Sequence, residues 1–158
     1  MRIDDPTEEH VRFVADRIRA KDAEEFMAVS FADTAADLAD DLIERYSAHP
    51  DTYCFSDDDG TPVAVGAMVM ARPNVVTLMF FATDRFPKLA LAIARFTVRR
   101  LFPRYREAGV HRIECASTAG YAAAHRRLRL CGMKPEGGSP GLGRNGATFP
   151  PRAWAADD

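Results

Sequence analysis

The sequence is poor in several features that mark whole classes of protein. It holds three cysteines in 158 residues, Cys54, Cys115 and Cys131, odd in number and widely spaced. No Cys-x-x-Cys pair occurs and no histidine lies at ligand spacing. The pattern therefore excludes a disulfide framework or zinc site and predicts three reduced, mostly buried thiols and no metal. No apolar run reaches the roughly 18 residues of a membrane span, so no membrane partner is expected. The acidic start Met1-Arg2-Ile3-Asp4-Asp5 lacks the apolar segment of a secretory signal, which points to the cytoplasm. Net charge is also scarce, at −2.

What is present is ordinary in amount and uneven in placement. The chain is 47% apolar and 28% charged, the composition of a soluble globular domain. A chain of this length buries roughly 70% of its unfolded surface, so it needs no covalent or metal staple. Residues 1–60 carry 17 acids and 6 bases, a net of −11, and residues 61–158 carry 6 acids and 15 bases, a net of +9. Either the two parts attract each other or the basic part meets an anion.

Periodicity gives the elements. Val11, Val14 and Ile18 mark a first helix opened by Pro6 and Thr7. A second covers Ala23 to Ser30. Asp33 or Thr34 caps a third with Leu38, Leu42 and Tyr46 on one face, ended by His49-Pro50. Thr52 to Ser56 and Pro62 to Met70 read as a hairpin around Asp57-Asp58-Asp59-Gly60. Val75 to Ala82 is a continuous apolar run, as in a strand buried on both faces. A long helix follows from Pro87 to Ala108. Pro103 is expected to kink or interrupt it, and Gly109 to end it. His111 to Ser117 reads as a strand, and Thr118 or Gly120 starts another helix that runs through Leu130 and is closed by Gly132. The last 24 residues hold five of ten glycines and four of ten prolines. They read as a loop and final hairpin with Asn145-Gly146 at its turn. The expected organisation is one domain: an acidic helical segment over 1–50, a core of sheet and helices over 51–134, and the Gly/Pro-rich hairpin over 135–158. The class is α/β (α+β), with the strands around Phe80 and Glu114 parallel and adjacent across a strand-helix-strand crossover.

The segment Tyr121-Ala-Ala-Ala-His-Arg-Arg-Leu-Arg-Leu-Cys-Gly-Met133, taken with this element order, resembles the GNAT superfamily of N-acetyltransferases. Ala124 and Gly132 fit the family pattern, and Met133 stands where an aromatic is usual. The likeness covers about residues 1–154. It implies a GNAT-like central mixed sheet, acetyl-CoA as donor and an amine, small molecule or protein, as acceptor. It also implies that the two parallel strands splay, that the thioester docks between them, and that amides near Phe81 and Ala82 hold its carbonyl. The Ala82-Thr83-Asp84 and Asn145-Gly-Ala-Thr-Phe149 segments are similar to a tailed-phage group of such domains, sometimes called internal virion proteins. That likeness implies virion proteins as partners and a place in the host cytoplasm or the virion.

Two departures from the family pattern concern function. Family members cradle the coenzyme diphosphate on closely spaced glycine amides at a helix start. Here the loop is Thr83-Asp84-Arg85-Phe86-Pro87-Lys88, without glycine. Pro87 lacks an N–H, and Asp84 brings negative charge. Arg85 and Lys88 offset that charge, and with Thr83 they are the candidate coenzyme ligands. The same residue types also suit an ordinary helix cap. The tyrosine that many members place four residues before the closing glycine is Leu128 here, and Tyr121 lies seven residues earlier. Glu114 is the only acid on the central strands. It is either a general base in an apolar setting or a partner of solvent or Arg112.

Gly141-Leu-Gly143-Arg-Asn-Gly146 matches a dinucleotide fingerprint in letters only, because Ala-Thr-Phe-Pro-Pro follows where a helix must start. The arginines at 95, 99, 100, 104 and 106, and at 126, 127 and 129, flank the expected coenzyme groove, and Arg126 is the candidate for its 3′-phosphate. The favoured alternative is pairing with the acidic helices, within the chain or in a homo-oligomer. Nucleic acid is disfavoured because no stacking aromatics are interleaved. The sequence thus leaves two functions: acetyl transfer with a degenerate coenzyme loop, or a non-enzymatic structural or interaction protein.

Overall fold

The computed structural model describes Met1–Ala156. These residues form two compact units. The first is Met1–Met68 with Met79–Leu91, and the second is Val69–Leu78 with the chain from Ala92 onward.

In the first unit, β1 (Arg2–Asp4) pairs antiparallel with β2 (Thr52–Ser56), which pairs with β3 (Pro62–Arg72) in the register Thr52↔Ala67. The sequence reading saw only helices before residue 50. A three-residue strand carries too little alternation to register, and β1 is fixed by its partner. The Thr7 hydroxyl accepts the His10 N–H at 3.2 Å and starts α1 (Glu8–Ala15), whose Val11 and Val14 are fully buried. Ile18 lies beyond this helix and forms an isolated antiparallel bridge with Thr83. The second helix, α2, spans Ala20–Val29. A capping box starts α3 (Ala35–Tyr46): Thr34 Oγ1 accepts the Asp37 N–H at 3.1 Å, and Asp37 accepts the Thr34 N–H at 2.9 Å. Leu38 and Leu42 of α3 are buried. The strand β4 (Val75–Ala82) ends in this unit, where the Phe81 ring meets Phe26 at 5.6 Å and Tyr46 at 5.8 Å. Thr77 to Phe80 are half-buried, so burial of β4 on both faces holds only at its end.

The second unit starts with the ends of β3 and β4 around Asn74, at φ 58°. The strand β5 (Arg112–Ala116) runs parallel to β4, as the crossover requires, in the register Val75↔Arg112 to Thr77↔Glu114. The single helix expected after β4 is instead a series: a 3-10 turn Phe86–Lys88, α4 (Ala90–Phe96), a π turn Thr97–Leu101 and α5 (Phe102–Glu107). The interruption expected at Pro103 falls just before it, in the π turn. The π turn places the Phe102 N–H on Thr97 O and widens the helix just before the proline ring, relieving its clash with the preceding carbonyls. Gly109, at φ +89°, follows α5. The last helix, α6 (Ala122–Leu130), closes in a Schellman motif around Gly132 (φ +80°), with Met133 N–H on Leu128 O at 3.0 Å. Finally β7 (Pro151–Ala155) pairs antiparallel with β5 and with the short β6 (Lys134–Pro135). Asn145-Gly146 was expected to be this hairpin's turn. It is a separate turn inside the connecting loop, and β6 pairs directly with β7 through Lys134↔Ala153.

The strands are hydrogen-bonded in the order β1-β2-β3-β4-β5-β7-β6, a mixed sheet of the α/β class expected from the sequence. Among the described residues no helix is long and apolar enough to cross a membrane.

Candidate functional site

The end of β4 and the loop after it carry five of the sequence candidates, all in the first unit. Asp22, 3% exposed, is the organising residue and was not singled out from the sequence. Its Oδ2 accepts the Ala82 N–H at 2.9 Å, and it also receives the Arg19 guanidinium, Nε at 3.0 Å and Nη2 at 2.8 Å. The Arg19 N–H donates to Ala82 O at 2.8 Å, so both peptide groups of Ala82 are tied to the start of α2. The Arg19 guanidinium lies 4.5 Å from the centre of the buried Phe86 ring. Burial of this ion pair is tolerable because each charge is met by hydrogen bonds as well as by its partner.

Five of the six other N–H groups from Thr83 to Leu89 are used in the same way. Thr83 N–H donates to Val63 O at 2.9 Å, Phe86 N–H to Thr83 O at 3.1 Å, Lys88 N–H to Arg85 O at 3.1 Å and Leu89 N–H to Phe86 O at 2.9 Å. Arg85 N–H reaches Thr83 Oγ1 at 3.3 Å, and that hydroxyl donates to Val63 O at 3.2 Å. The Arg85 guanidinium pairs with Asp57 at 2.5 Å and Asp59 at 3.7 Å. Phe81 is core, and Lys88 is exposed. From Ala82 to Leu89, among the described residues, the Asp84 N–H alone is left for a diphosphate, whose recognition at such a place uses several N–H groups pointing outward.

The other three candidates are in the second unit. Glu114 sits in a ladder of ion pairs. One oxygen pairs with Arg72, the other accepts Arg112 Nε at 2.8 Å, and Arg112 reaches on to Glu136 at 2.8 Å. Hydrogen bonds donated to Glu136 first and Glu114 second push the Arg112 guanidinium further up, and Arg112 holds Glu136 below the usual carboxyl range. Both Glu114 oxygens are thus committed, which is the structural alternative weighed in the sequence. Tyr121 precedes α6, its N–H bonded to Thr118 O at 3.0 Å and its ring 5.8 Å from the Arg127 guanidinium. Arg126 is exposed on α6, and Leu128, at the family's tyrosine position, is half-buried.

His125 is buried on the first turn of α6. Arg152 Nε donates to its Nδ1 at 2.9 Å, which leaves Nε2 to donate to Thr118 O at 2.8 Å. This arrangement makes Nδ1 the acceptor and Nε2 the donor, and it fastens the β5–α6 connection to β7. The thiols are free, with Cys54 buried and Cys115 and Cys131 half-buried. Burial pushes the Cys54 thiol up to about 11, which leaves it unreactive as a nucleophile. Among the described residues no cluster of three or more His, Cys, Asp or Glu is placed to hold a metal ion.

One backbone feature distinguishes the second unit. The parallel β4–β5 ladder stops at Thr77↔Glu114, although β4 continues to Ala82 and β5 to Ala116. Cys115 and Ala116 keep their pairing with Arg152 and Pro151 of β7 on the other side.

No protein-family model matches the sequence, and no curated protein matches it. Solved structures do match along the whole chain. The ribosomal-protein-alanine N-acetyltransferase of Brucella melitensis is 18% identical, with a TM-score of 0.73 over 98% of this chain and 99% of its own. The yncA protein of Salmonella typhimurium, solved with its cofactor acetyl-CoA, is 16% identical, with a TM-score of 0.72 over 100% and 95%. A GCN5-related N-acetyltransferase of Kribbella flavida is 13% identical, with a TM-score of 0.73 over 98% and 96%. Strand order, crossover and these neighbours agree: the chain has the fold of the GNAT N-acetyltransferases.

Proposed function

We propose that the protein is an N-acetyltransferase of the GNAT superfamily that moves an acetyl group from acetyl-CoA to an amine. The observation that carries this reading is the end of the parallel ladder at Thr77↔Glu114 in a sheet of GNAT strand order. The family resemblance puts the donor thioester beside the end of such a ladder. In the reaction the amine nitrogen attacks the thioester carbonyl carbon, the C–S bond breaks, and the thiolate leaves with the electron pair. Tyr121 is the proton source we assign to the thiolate. The amine's proton goes to water, because Glu114 serves the ion ladder. The test is titration calorimetry with acetyl-CoA, followed by thiol release in the presence of polyamines and peptide amines. Binding with turnover supports the reading, and Tyr121→Phe then lowers kcat by about a hundredfold. Absence of binding at millimolar donor by the folded protein overturns it.

A second reading has its own observation. The hydrogen-bonded loop Ala82 to Leu89 and the leucine at 128 suit a non-catalytic GNAT-fold module that serves as a structural or interaction protein. Its phage-type sequence likeness makes virion proteins its partners. Recovery from purified particles together with failure to bind acetyl-CoA supports it, and turnover of acetyl-CoA removes it.

A further inference from the structure

Strand β7 carries a buried charge that no described residue neutralises. Arg152 is 9% exposed, and its side chain makes one hydrogen bond among the described residues, from Nε to His125 Nδ1 at 2.9 Å. Its Nη1 is fully buried without a partner, and Nη2, which makes no bond either, is not sealed in. The described acids of the second unit are Glu107, Glu114 and Glu136. Glu114 and Glu136 are spent on Arg72 and Arg112. Strand alternation puts Glu114 and its cross-strand partner Ala153 on one face of the sheet and Arg152 on the other. Glu107 is exposed on α5. A guanidinium taken out of water calls for a counter-charge, and here the chain supplies none from its described residues. The start of α6 adds to the positive field. It has no acidic residue in its first turn and no side-chain cap, and the Ala122 and Ala123 N–H groups have no partner among the described residues, on the same turn as His125. Arg152 pairs across the strands with Cys115, the first residue of β5 past the last β4–β5 pair, Thr77↔Glu114. It therefore stands one strand away from the end of the parallel ladder.

We propose that Arg152 binds the acceptor and that the acceptor amine carries a carboxylate. Nε is committed to His125, so the free edge of the guanidinium is the Nη1–Nη2 pair, a fork that matches the two oxygens of a planar carboxylate. Nη2 is the open corner at which the carboxylate enters. Neighbouring strands lie about 4.8 Å apart, so the carboxylate and the nitrogen to be acetylated belong to one compact molecule, an amino acid or a close analogue. This rests on the acetyltransferase reading above and names the acceptor class for it.

The experiment measures thiol release from acetyl-CoA by the full chain with matched acceptors: alanine, phenylalanine and lysine against their α-amides. The free acid of the best pair should exceed its amide in kcat/KM by about a hundredfold, the scale of two charge-assisted hydrogen bonds, and Arg152→Gln should bring that ratio to within about threefold of one. Equal use of acid and amide by the wild-type protein, or an unchanged ratio in folded Arg152→Gln, overturns the proposal and leaves the acetyltransferase reading standing. Succinyl-CoA tests the other source of a carboxylate, the acyl group. A preference for it over acetyl-CoA that Arg152→Gln abolishes moves the carboxylate to the donor and overturns the acceptor assignment. Absence of thiol release with every amine overturns the acetyltransferase reading and the acceptor role with it. A second readout needs neither turnover nor a variant: proton–nitrogen spectroscopy of the arginine side chains in the wild-type protein, titrated with the same acids and amides. The Arg152 Nε–H resonance should shift with a free acid and stay in place with its amide. A resonance that ignores both, or moves equally with both, overturns the carboxylate site.

Discussion

The two compact units carry opposite charge and use it differently. The first has 18 acids and 8 bases, a net of −10, and the second has 5 acids and 13 bases, a net of +8. In the first unit charge is built into the backbone. Asp22 and Arg19 clamp Ala82, Arg85 is bound by Asp57 and Asp59, and Asp37 completes a helix cap. The acidic helices pair with bases near them, Arg12 with Glu8 and Asp40, and Arg45 with Asp41. In the second unit the carboxylates Glu114 and Glu136 are spent on Arg72 and Arg112, while Arg95, Arg99, Arg100, Arg126 and Arg129 stand exposed with no ion pair among the described residues. The contrast teaches that residue type alone does not locate an anion site. The arginine and lysine in the loop that looks like a coenzyme loop are outweighed by carboxylates, and the exposed arginines free to meet an anion lie on helices elsewhere.

Four substitutions or titrations sharpen this contrast. Phe81→Ala removes the ring that Phe26 and Tyr46 share and is expected to cost about 4 kcal/mol, read from denaturant unfolding. Asp22→Ala leaves a buried guanidinium and the Ala82 N–H unmet and is expected to cost about 3 kcal/mol, whereas Asp22→Asn, which keeps an acceptor, costs less. If Asp22→Ala unfolds no more readily than wild type, charge is not structural in the first unit. Thr34→Ala breaks the capping box of α3 and is expected to cost about 1 kcal/mol. Arg99→Ala with Arg100→Ala should change stability by less than about 0.5 kcal/mol, because solvent surrounds both side chains.

The pH dependence has a definite sign. The Asp37 carboxyl is held below the ordinary 3.8 by the Thr34 hydroxyl and N–H, and Asp59 by the Thr61 N–H. Arg112 does the same for Glu136, whose ordinary value is 4.5. A lowered folded-state value means that the unfolded chain binds more protons as pH falls. Their contribution is whole above those ordinary values and is lost as pH drops through the lower folded ones. The Tm should therefore be flat at neutral pH and fall on acidification below about pH 4, and Asp37→Asn should flatten part of that fall.

Much of the fold was legible because its signals are local. Thr52–Ser56 and Val75–Ala82 are each bracketed by turn residues, and both strands have the expected bounds. The Arg112–Glu114 pairing was open to inspection because both residues lie on one face of one strand. What was missed is long-range. The Asp22–Ala82 bond joins residues 60 apart, and Arg72 reaches Glu114 across 42. The His125–Arg152 contact spans 27. An Asp three residues after an Arg at a helix start is common, and nothing local says that its carboxylate is buried against a strand end. The missing loop glycines were visible in the sequence. That its amides are already bonded was not, since that depends on Val63 and Asp22.

The central claim, that the loop after β4 is hydrogen-bonded to its own chain, is tested most directly by amide hydrogen exchange in the ligand-free protein. The Ala82 and Thr83 amides should exchange far more slowly than in an unstructured peptide. In Asp22→Ala, protection at Ala82 should collapse while Thr83, bonded to Val63, keeps its own. Free-peptide exchange at both positions in the wild-type protein, with protection appearing only when acetyl-CoA is added, would contradict the account.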